Sequence, residues 1–176
     1  MTPEPKRSND ISLLSAQFRL KFDPFRKEVK ALRPDAEIFE AKRLYERQLR
    51  LKNESDRREK LWQPRITRTL QSKHLTGDAV DIVFMDDERT PQYDNRMSRV
   101  GPYDALIKIA KKYGIENLKP RETCHFQDNG YPLAEVQQAI AVTQENSKLR
   151  KKTSDIKVRA RLKQENDYLR TVYGIE

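Results

Sequence analysis

Cysteine is nearly absent from the chain, which excludes one way of stabilising a small fold. Cys124 is the only cysteine among 176 residues, so no internal disulfide can form. Long apolar runs are also absent, and no stretch is long enough to span a membrane. The N-terminal ten residues lack the apolar core of a secretory signal. We interpret Cys124 as a buried structural thiol, with a role as metal ligand or nucleophile as the alternative.

The chain is poor in apolar residues for a compact globule. Apolar residues make up 36% of it and charged residues another 36%. The length fits one domain with an appendage, so part of the chain should lie outside the core. The net charge of +9 predicts an anionic partner, such as nucleic acid, a membrane surface or a cell-wall polymer. Solubility alone is the alternative explanation for this charge.

Histidine is rare too, and both histidines lie near carboxylates. His74 precedes Asp81 by seven residues, and His125 follows Glu122 by three. Two neutral imidazoles and one carboxylate are the ligands of a catalytic zinc site with an open fourth position. Glu122 is then available as a base that acts on water. The alternative is that both histidines are ordinary surface or core residues, and spacing alone favours neither interpretation.

The residues after His74 predict a bend and then a strand. Residues 72–75 should end a strand or turn, Gly77 should make the bend, and residues 79–84 should form the strand. Side chains alternate along a strand, so Asp81 faces away from the core. The core face of this strand is formed by Val80, Ile82 and Phe84.

The second histidine requires an irregular strand. Alternation places Glu122 and His125 on opposite faces of an ideal strand, so they cannot both reach one metal. We therefore predict a bulge or turn near Thr123 or Cys124, a feature that is frequent beside active sites.

Two motifs carry a resemblance to a known family. Residues Ser72 to Asp81 match S-x-H-x-x-G-x-A-x-D, and residues Glu122 to Phe126 match E-x-x-H followed by an aromatic residue. In these motifs the chain resembles the VanY-type zinc peptidases. This is the D-alanyl-D-alanine carboxypeptidase family, which includes phage L-alanyl-D-glutamate endolysins. The likeness covers roughly residues 17–131.

The resemblance implies a role for each motif residue. The zinc ligands fall on His74, Asp81 and His125. The catalytic base falls on Glu122, and the arginine that polarises the substrate falls on Arg43, within E-I-F-E-A-K-R-L-Y-E-R-Q. Ser72 either binds substrate or holds a ligand in place. The cofactor implied is Zn²⁺, and the substrate implied is the peptide stem of peptidoglycan.

Several flanking segments give further expectations. Asp23 and Pro24 predict the start of a helix, and residues 66–70 alternate in a way that suits a strand. Trp62 either stacks on substrate or anchors the base of a loop. Residues 86–101 form a long loop that we expect to line the cleft. Gly101 and Pro102 then open a helix that continues to Tyr113.

The C-terminal segment predicts a long helix outside the catalytic domain. Glycine and proline are absent after Pro132 as far as about Val172, and Val142, Leu149 and Ile156 recur at intervals of seven. Leu162 and Leu169 repeat this interval after a shift of phase. Residues 150–163 carry seven basic side chains against one acidic one, which suits an anionic partner. A solvated helix without a partner is the alternative.

Taken together, these features predict an α+β fold with a small, mostly antiparallel sheet that carries a zinc site, flanking helices, and a long C-terminal helical extension. The expected division is an N-terminal arm at 1–16, a zinc peptidase domain at 17–131 and a basic extension at 132–176 for docking or assembly.

We expect a phage-encoded zinc peptidase, located in the virion or in the host cytoplasm before lysis, whose extension contacts other virion proteins. The alternative is a virion structural protein with an idle peptidase-like domain. Nucleic-acid binding ranks last, because the chain has no helix-turn-helix pattern, no zinc-finger cysteines and no aromatic stacking motif.

Overall fold

An antiparallel sheet with helices packed against it organises the described part of the chain. A computed structural model describes residues 7–63, 66–85, 91–92, 103–118 and 122–173, with Pro91, Gln92 and Glu122 described through their backbones alone. The fold is α+β, as the sequence predicts. A 3₁₀ turn (Ile11–Leu13) is followed by α1 (Ala16–Leu32), β1 (Ala36–Glu40), α2 (Tyr45–Lys60), α3 (Lys73–Thr76), β2 (Ala79–Met85), β3 (Pro91–Gln92), α4 (Tyr103–Lys112), β4 (Ile115–Leu118), β5 (Glu122–Asp128), α5 (Leu133–Lys152) and α6 (Ile156–Tyr173).

The sheet has the strand order β1-β2-β5-β4, and the two-residue strand β3 pairs with the end of β2. Every pairing is antiparallel. The register places Val80 opposite Phe126, and both side chains are fully buried. Ile82 and Phe84 continue this buried face along β2, as the alternation predicts. The core therefore lies on one side of β2, and Asp81 belongs to the other side.

Helix α1 covers the core side of the sheet and starts earlier than the sequence predicts. Its first residue is Ala16, and the Ser15 hydroxyl caps it by accepting the Phe18 N–H at 3.2 Å. Pro24 therefore lies inside the helix. Such a proline costs about 3 kcal/mol. The cost is offset by four buried side chains at helical spacing, each worth about 1.5–3 kcal/mol. These side chains are Phe18, Phe22, Phe25 and Val29.

A buried ion pair fixes α1 to the far end of β5. The Lys21 side chain is fully buried and pairs with Asp128, and its ammonium also donates to Asn129 Oδ1 at 2.8 Å. Two charges inside a protein need both a partner and further hydrogen bonds, and this arrangement supplies both. Leu14 and Ile11, which precede α1, also pack against the core.

The segment after α2 differs from the prediction. Residues 66–70 form bends instead of a strand. Their backbone polar groups bond to side chains of α2: the N–H groups of Ile66 and Thr67 donate to Ser55 Oγ at 2.9 and 2.7 Å. A strand partner is therefore not needed. Trp62, two residues after the end of α2, is 97% exposed, so the interpretation of this residue as an anchor at the base of a loop is wrong.

Helix α4 lies where the sequence predicts it. Leu106, Ile109 and Ala110 point into the core, and Gly114 follows the helix with a φ of 65°. The predicted cleft loop at 86–101 lies outside the described residues, apart from the backbone of the short strand β3.

The predicted C-terminal helical extension is confirmed, but it is a hairpin of two helices and not one long helix. Asp155 produces the break, because its carboxylate caps α6 by accepting the N–H groups of Lys157 and Val158 at 2.8 and 3.2 Å. The helices then pack side by side, and Asn166 Nδ2 donates to the Thr143 carbonyl at 3.1 Å. No helix within the described ranges is long and apolar enough to cross a membrane.

Candidate metal centre

The register between β2 and β5 brings Asp81 and His125 side by side. These residues are directly opposite each other, one position along from the buried pair of Val80 and Phe126. Because successive side chains point to opposite faces of a sheet, the packing of the pair next to them directs both Asp81 and His125 away from the core. The apolar pattern of β2 therefore fixes the positions of two polar side chains.

His74 reaches the same place from the short helix α3. The Ser72 hydroxyl caps this helix by accepting the His74 N–H at 3.4 Å. Gly77 ends the helix with a φ of 79°, in the left-handed region that glycine adopts at little cost. A side chain at Gly77 would also lie 2.7 Å from the Leu13 carbonyl oxygen. The predicted bend at Gly77 is confirmed, and the preceding residues form one helical turn.

Three ligand atoms converge. His74 Nε2 lies 3.2 Å from His125 Nδ1 and 3.3 Å from Asp81 Oδ1, and His125 Nδ1 lies 3.2 Å from the same oxygen. Ligands about 2.0–2.1 Å from a tetrahedral ion lie about 3.3 Å from one another. The triangle therefore has the dimensions of one face of a tetrahedral zinc site. Within the described ranges, His74, Asp81 and His125 form a group that can hold a metal ion.

In both imidazole rings, the nitrogen that points away from the cluster makes a hydrogen bond that sets the tautomer. His74 Nδ1 lies 2.6 Å from the Ala41 carbonyl, which can only accept, so Nδ1 carries the hydrogen. His125 Nε2 lies 3.2 Å from Gln127 Oε1. The amide of Gln127 donates to Glu116 Oε2 at 3.3 Å, which turns its oxygen towards the ring. Both inner nitrogens are thereby left with lone pairs directed at the cluster.

The cluster is built to hold positive charge. Three atoms with lone pairs at this separation repel one another unless a proton or a metal ion lies among them. Burial opposes ionisation of Asp81, but when a proton occupies the cluster in place of a metal, hydrogen bonds from His125 and His74 outweigh burial and hold the pKa of Asp81 below its ordinary value of 3.8. The carboxylate is therefore ionised, as a metal ligand must be.

The predicted irregularity in β5 is present. Asn117 of β4 pairs with Phe126, whereas the next residue, Leu118, pairs with Glu122. Three residues of β5 thus have no paired position in β4, and the Asn117 amide bonds to the carbonyls of Thr123 and His125 at 2.8 Å each. The alternation between Glu122 and His125 is interrupted as expected. The side chain of Glu122 lies outside the described part of the chain.

Arg43 lies at the edge of the cluster within a network of buried polar groups. Its Nη2 is 3.6 Å from Asp81 Oδ2, its backbone N–H donates to the His74 carbonyl at 2.9 Å, and its side chain pairs with Glu40 and Gln48. Arg47 donates to the other oxygen of Glu40 at 2.8 Å. Burial opposes ionisation of Glu40, but the two guanidiniums hold its pKa below the usual range.

Sequence reasoning missed Glu40, Arg47, Gln48 and Gln127. A one-residue bulge in β1 places Glu40 opposite Asp81, because Ile38 pairs with Ile82 but Glu40, two residues later, pairs with Asp81. Gln127 carries a visible signal, since it lies two residues after His125 and therefore on the same face of β5. Cys124 packs against the hydrophobic core, which agrees with a structural thiol.

Comparisons with known proteins add little to this geometry. Neither a protein-family model nor a curated protein matches the sequence. Among solved structures, the chain is similar to the Serratia marcescens L-Ala D-Glu endopeptidase ChiX, with a TM-score of 0.46 and 16% identity, over 70% of this chain and 90% of that chain. The assignment of the site therefore depends on the side-chain geometry.

Proposed function

We propose that the protein is a zinc-dependent peptidase that cleaves the peptide stem of bacterial peptidoglycan. The observation that carries this proposal is the triangle of His74 Nε2, His125 Nδ1 and Asp81 Oδ1, with sides of 3.2–3.3 Å and both tautomers set for metal binding. Three protein ligands leave a position for chemistry, which is the mark of a catalytic zinc site as opposed to a structural one.

The donor set fits zinc better than the other common divalent ions. Imidazole nitrogens suit zinc, whereas Mg²⁺ and Ca²⁺ prefer six or more oxygen ligands. Zinc bound there supplies Lewis acidity, which acidifies water and polarises a carbonyl group. The site is only slightly open to solvent, since the side chains of His74 and Asp81 are 1% and 15% exposed.

The remaining chemistry is assigned to residues of the chain. Glu122, at the start of β5, takes a proton from the attacking water and passes it to the departing amine. Arg43 opposes the negative charge that grows on the carbonyl oxygen, and Glu40 and Gln48 fix the direction of its guanidinium. Ser72 is predicted either to bind substrate or to hold a ligand in place. Its capping contact favours the second role, because it holds the short helix that carries His74.

The choice of peptidoglycan comes from the sequence motifs, because the cluster itself fits any amide substrate. The phage origin, and action in the virion or the host cytoplasm, are part of the same proposal. They follow from the resemblance to a family that includes phage endolysins.

The test combines metal content with activity on purified peptidoglycan. Wild type and Glu122→Ala should each contain about one zinc per chain, and turbidity should fall with wild type alone. His74→Ala should lose both zinc and activity. Near-normal activity of Glu122→Ala would contradict the assigned base, and absence of zinc from the wild type would remove the site. Mass spectrometry of the released fragments then identifies the bond that is cut.

A further inference from the structure

The C-terminal hairpin presents a basic tip to solvent. We define the hairpin tip as Leu149–Arg161, the end of α5, the connection and the start of α6. Every residue from Ser154 to Arg161 is exposed. At the other end of the hairpin, Val136 and Ala139 pack with Tyr131, Leu169 and Tyr173, and Asn129, which follows β5, donates to the Tyr173 carbonyl at 3.3 Å. Lys152 lies thirteen positions after Ala139 along α5, a distance of about 20 Å at 1.5 Å per residue.

The charge of the hairpin tip is almost entirely of one sign. Its six basic residues are Arg150, Lys151, Lys152, Lys157, Arg159 and Arg161. Its single acidic residue is Asp155, whose carboxylate is engaged in capping α6. Positive side chains at the end of α5 and the start of α6 form a concentrated site for an anionic surface.

Aliphatic side chains are interleaved with these charges. Ile156, at the first position of α6, is 80% exposed, and Leu149 and Val158 are 44% and 38% exposed. The heptad spacing predicts that Leu149 and Ile156 face a helical partner, yet within the hairpin the break at 153–155 turns Ile156 outwards. An aliphatic side chain at the outermost point of a polar hairpin therefore needs another explanation.

We propose that the hairpin tip binds anionic phospholipid surfaces. Lysine and arginine pair with lipid phosphates, while an aliphatic side chain between them enters the boundary between headgroups and acyl chains. A nucleic acid uses the charges but not the aliphatic groups, and the tip has no aromatic residue on which a base can stack. The combination of clustered basic side chains and an exposed isoleucine fits a lipid surface. The proposal does not depend on the metal centre.

Charge is tested with matched triple variants of the full chain. The tip variant is Lys151→Gln, Lys152→Gln and Lys157→Gln. The control variant is Lys27→Gln, Lys60→Gln and Lys108→Gln. All six side chains are exposed, and both variants lower the net charge from +9 to +6. Binding is measured by sedimentation with vesicles of phosphatidylcholine containing 30% phosphatidylglycerol, and with vesicles of phosphatidylcholine alone. Each basic residue near the anionic surface is expected to strengthen binding about fivefold.

The proposal predicts that wild type and control bind the anionic vesicles, and that the tip variant binds them at least tenfold more weakly. Equal losses in the two variants would mean that only total charge matters, and would overturn it. So would equal binding of the wild type to both kinds of vesicle, or to neither. Tighter tip-dependent binding to a 20-base-pair DNA duplex at the same salt concentration would assign the tip to nucleic acid instead.

Insertion is tested separately by fluorescence. Trp62 is the only tryptophan, so Trp62→Phe removes the background and Ile156→Trp places a probe at the tip. The emission should shift to shorter wavelength with anionic vesicles and stay unchanged with neutral ones. An unchanged spectrum in the presence of bound vesicles would show that the aliphatic part of the proposal is wrong.

Discussion

Replacing Gln127 with methionine removes the hydrogen bond that sets the tautomer of His125 while keeping a side chain of similar length. In the structure His125 Nε2 donates to Gln127 Oε1 at 3.2 Å, and this leaves Nδ1 as the ligand atom. Without that acceptor, a fraction of neutral rings carry their hydrogen on Nδ1, where it blocks the metal. The remaining rings also lose part of their fixed orientation.

Loss of such an outer hydrogen bond weakens metal binding by about 10- to 100-fold. That range corresponds to about 1.4–2.7 kcal/mol of binding free energy. Gln127→Glu made together with Glu116→Gln keeps an acceptor for His125 and the hydrogen bond between the two side chains, and it adds a negative charge near the imidazole, so it should retain or increase zinc affinity. The direction of change therefore differs between these two replacements of Gln127, and loss of packing alone cannot reproduce this difference.

The assay is competition for zinc against a chromophoric chelator at pH 7.5, with Gln138→Met as the matched control. Gln138 is exposed on α5, which packs chiefly against α6. The control should bind zinc as the wild type does. Zinc affinity of Gln127→Met within twofold of the wild type would refute the tautomer argument. Weakening in the double variant Gln127→Glu, Glu116→Gln as large as in Gln127→Met would refute it as well.

Three further predictions concern stability, each measured by urea unfolding of metal-free protein. Lys21→Ala should lower the free energy of unfolding by about 3–5 kcal/mol, because it leaves the Asp128 carboxylate buried without a cation. Lys21→Met combined with Asp128→Leu should recover most of this loss. A double variant as unstable as the sum of its two single variants would contradict this. Gly77→Ala should lower the free energy of unfolding by about 1–3 kcal/mol because of the φ of 79° alone, and by more because the new side chain would contact the Leu13 carbonyl. An unchanged urea midpoint would show that the bend tolerates a side chain. Because its pKa is lowered, Glu40 stabilises the fold at pH values above the unfolded pKa of about 4.5, and this stability is lost as pH falls through the folded pKa. Glu40→Gln should therefore be less stable at pH 7, and its stability should depend less on pH between pH 5 and 3. An unchanged pH dependence would exclude Glu40 as a contributor.

The convergence of Asp81 and His125 is predictable from sequence because short-range rules position both residues. Alternation along β2 separates Asp81 from its apolar neighbours, and burial of those neighbours fixes which face is the core. The same rule shows that a regular strand cannot direct Glu122 and His125 to one place, so the bulge in β5 is predictable as well.

The helix boundaries depend on competition between local and tertiary effects. Asp23 and Pro24 are good signals for a helix start, yet the helix begins at Ala16 because the aromatic stripe gains more from burial than the proline costs. At the C-terminus the shift of phase between Ile156 and Leu162 is the visible trace of a break. The residues Thr153, Ser154 and Asp155 supply a cap there without glycine or proline.

Glu40 shows why the polar surroundings of the cluster are harder to predict than its ligands. Along a regular β1, Glu40 would share the face of Ala36 and Ile38, both of which contact the core. The one-residue bulge after Ile38 aligns Glu40 with Asp81 instead, and there Arg43 and Arg47 neutralise it. This register buries the charge of Glu40 against two guanidiniums, whereas the core face would surround it with apolar side chains. The ion pairs and the bulge therefore support each other, and together they hold the Arg43 guanidinium beside Asp81.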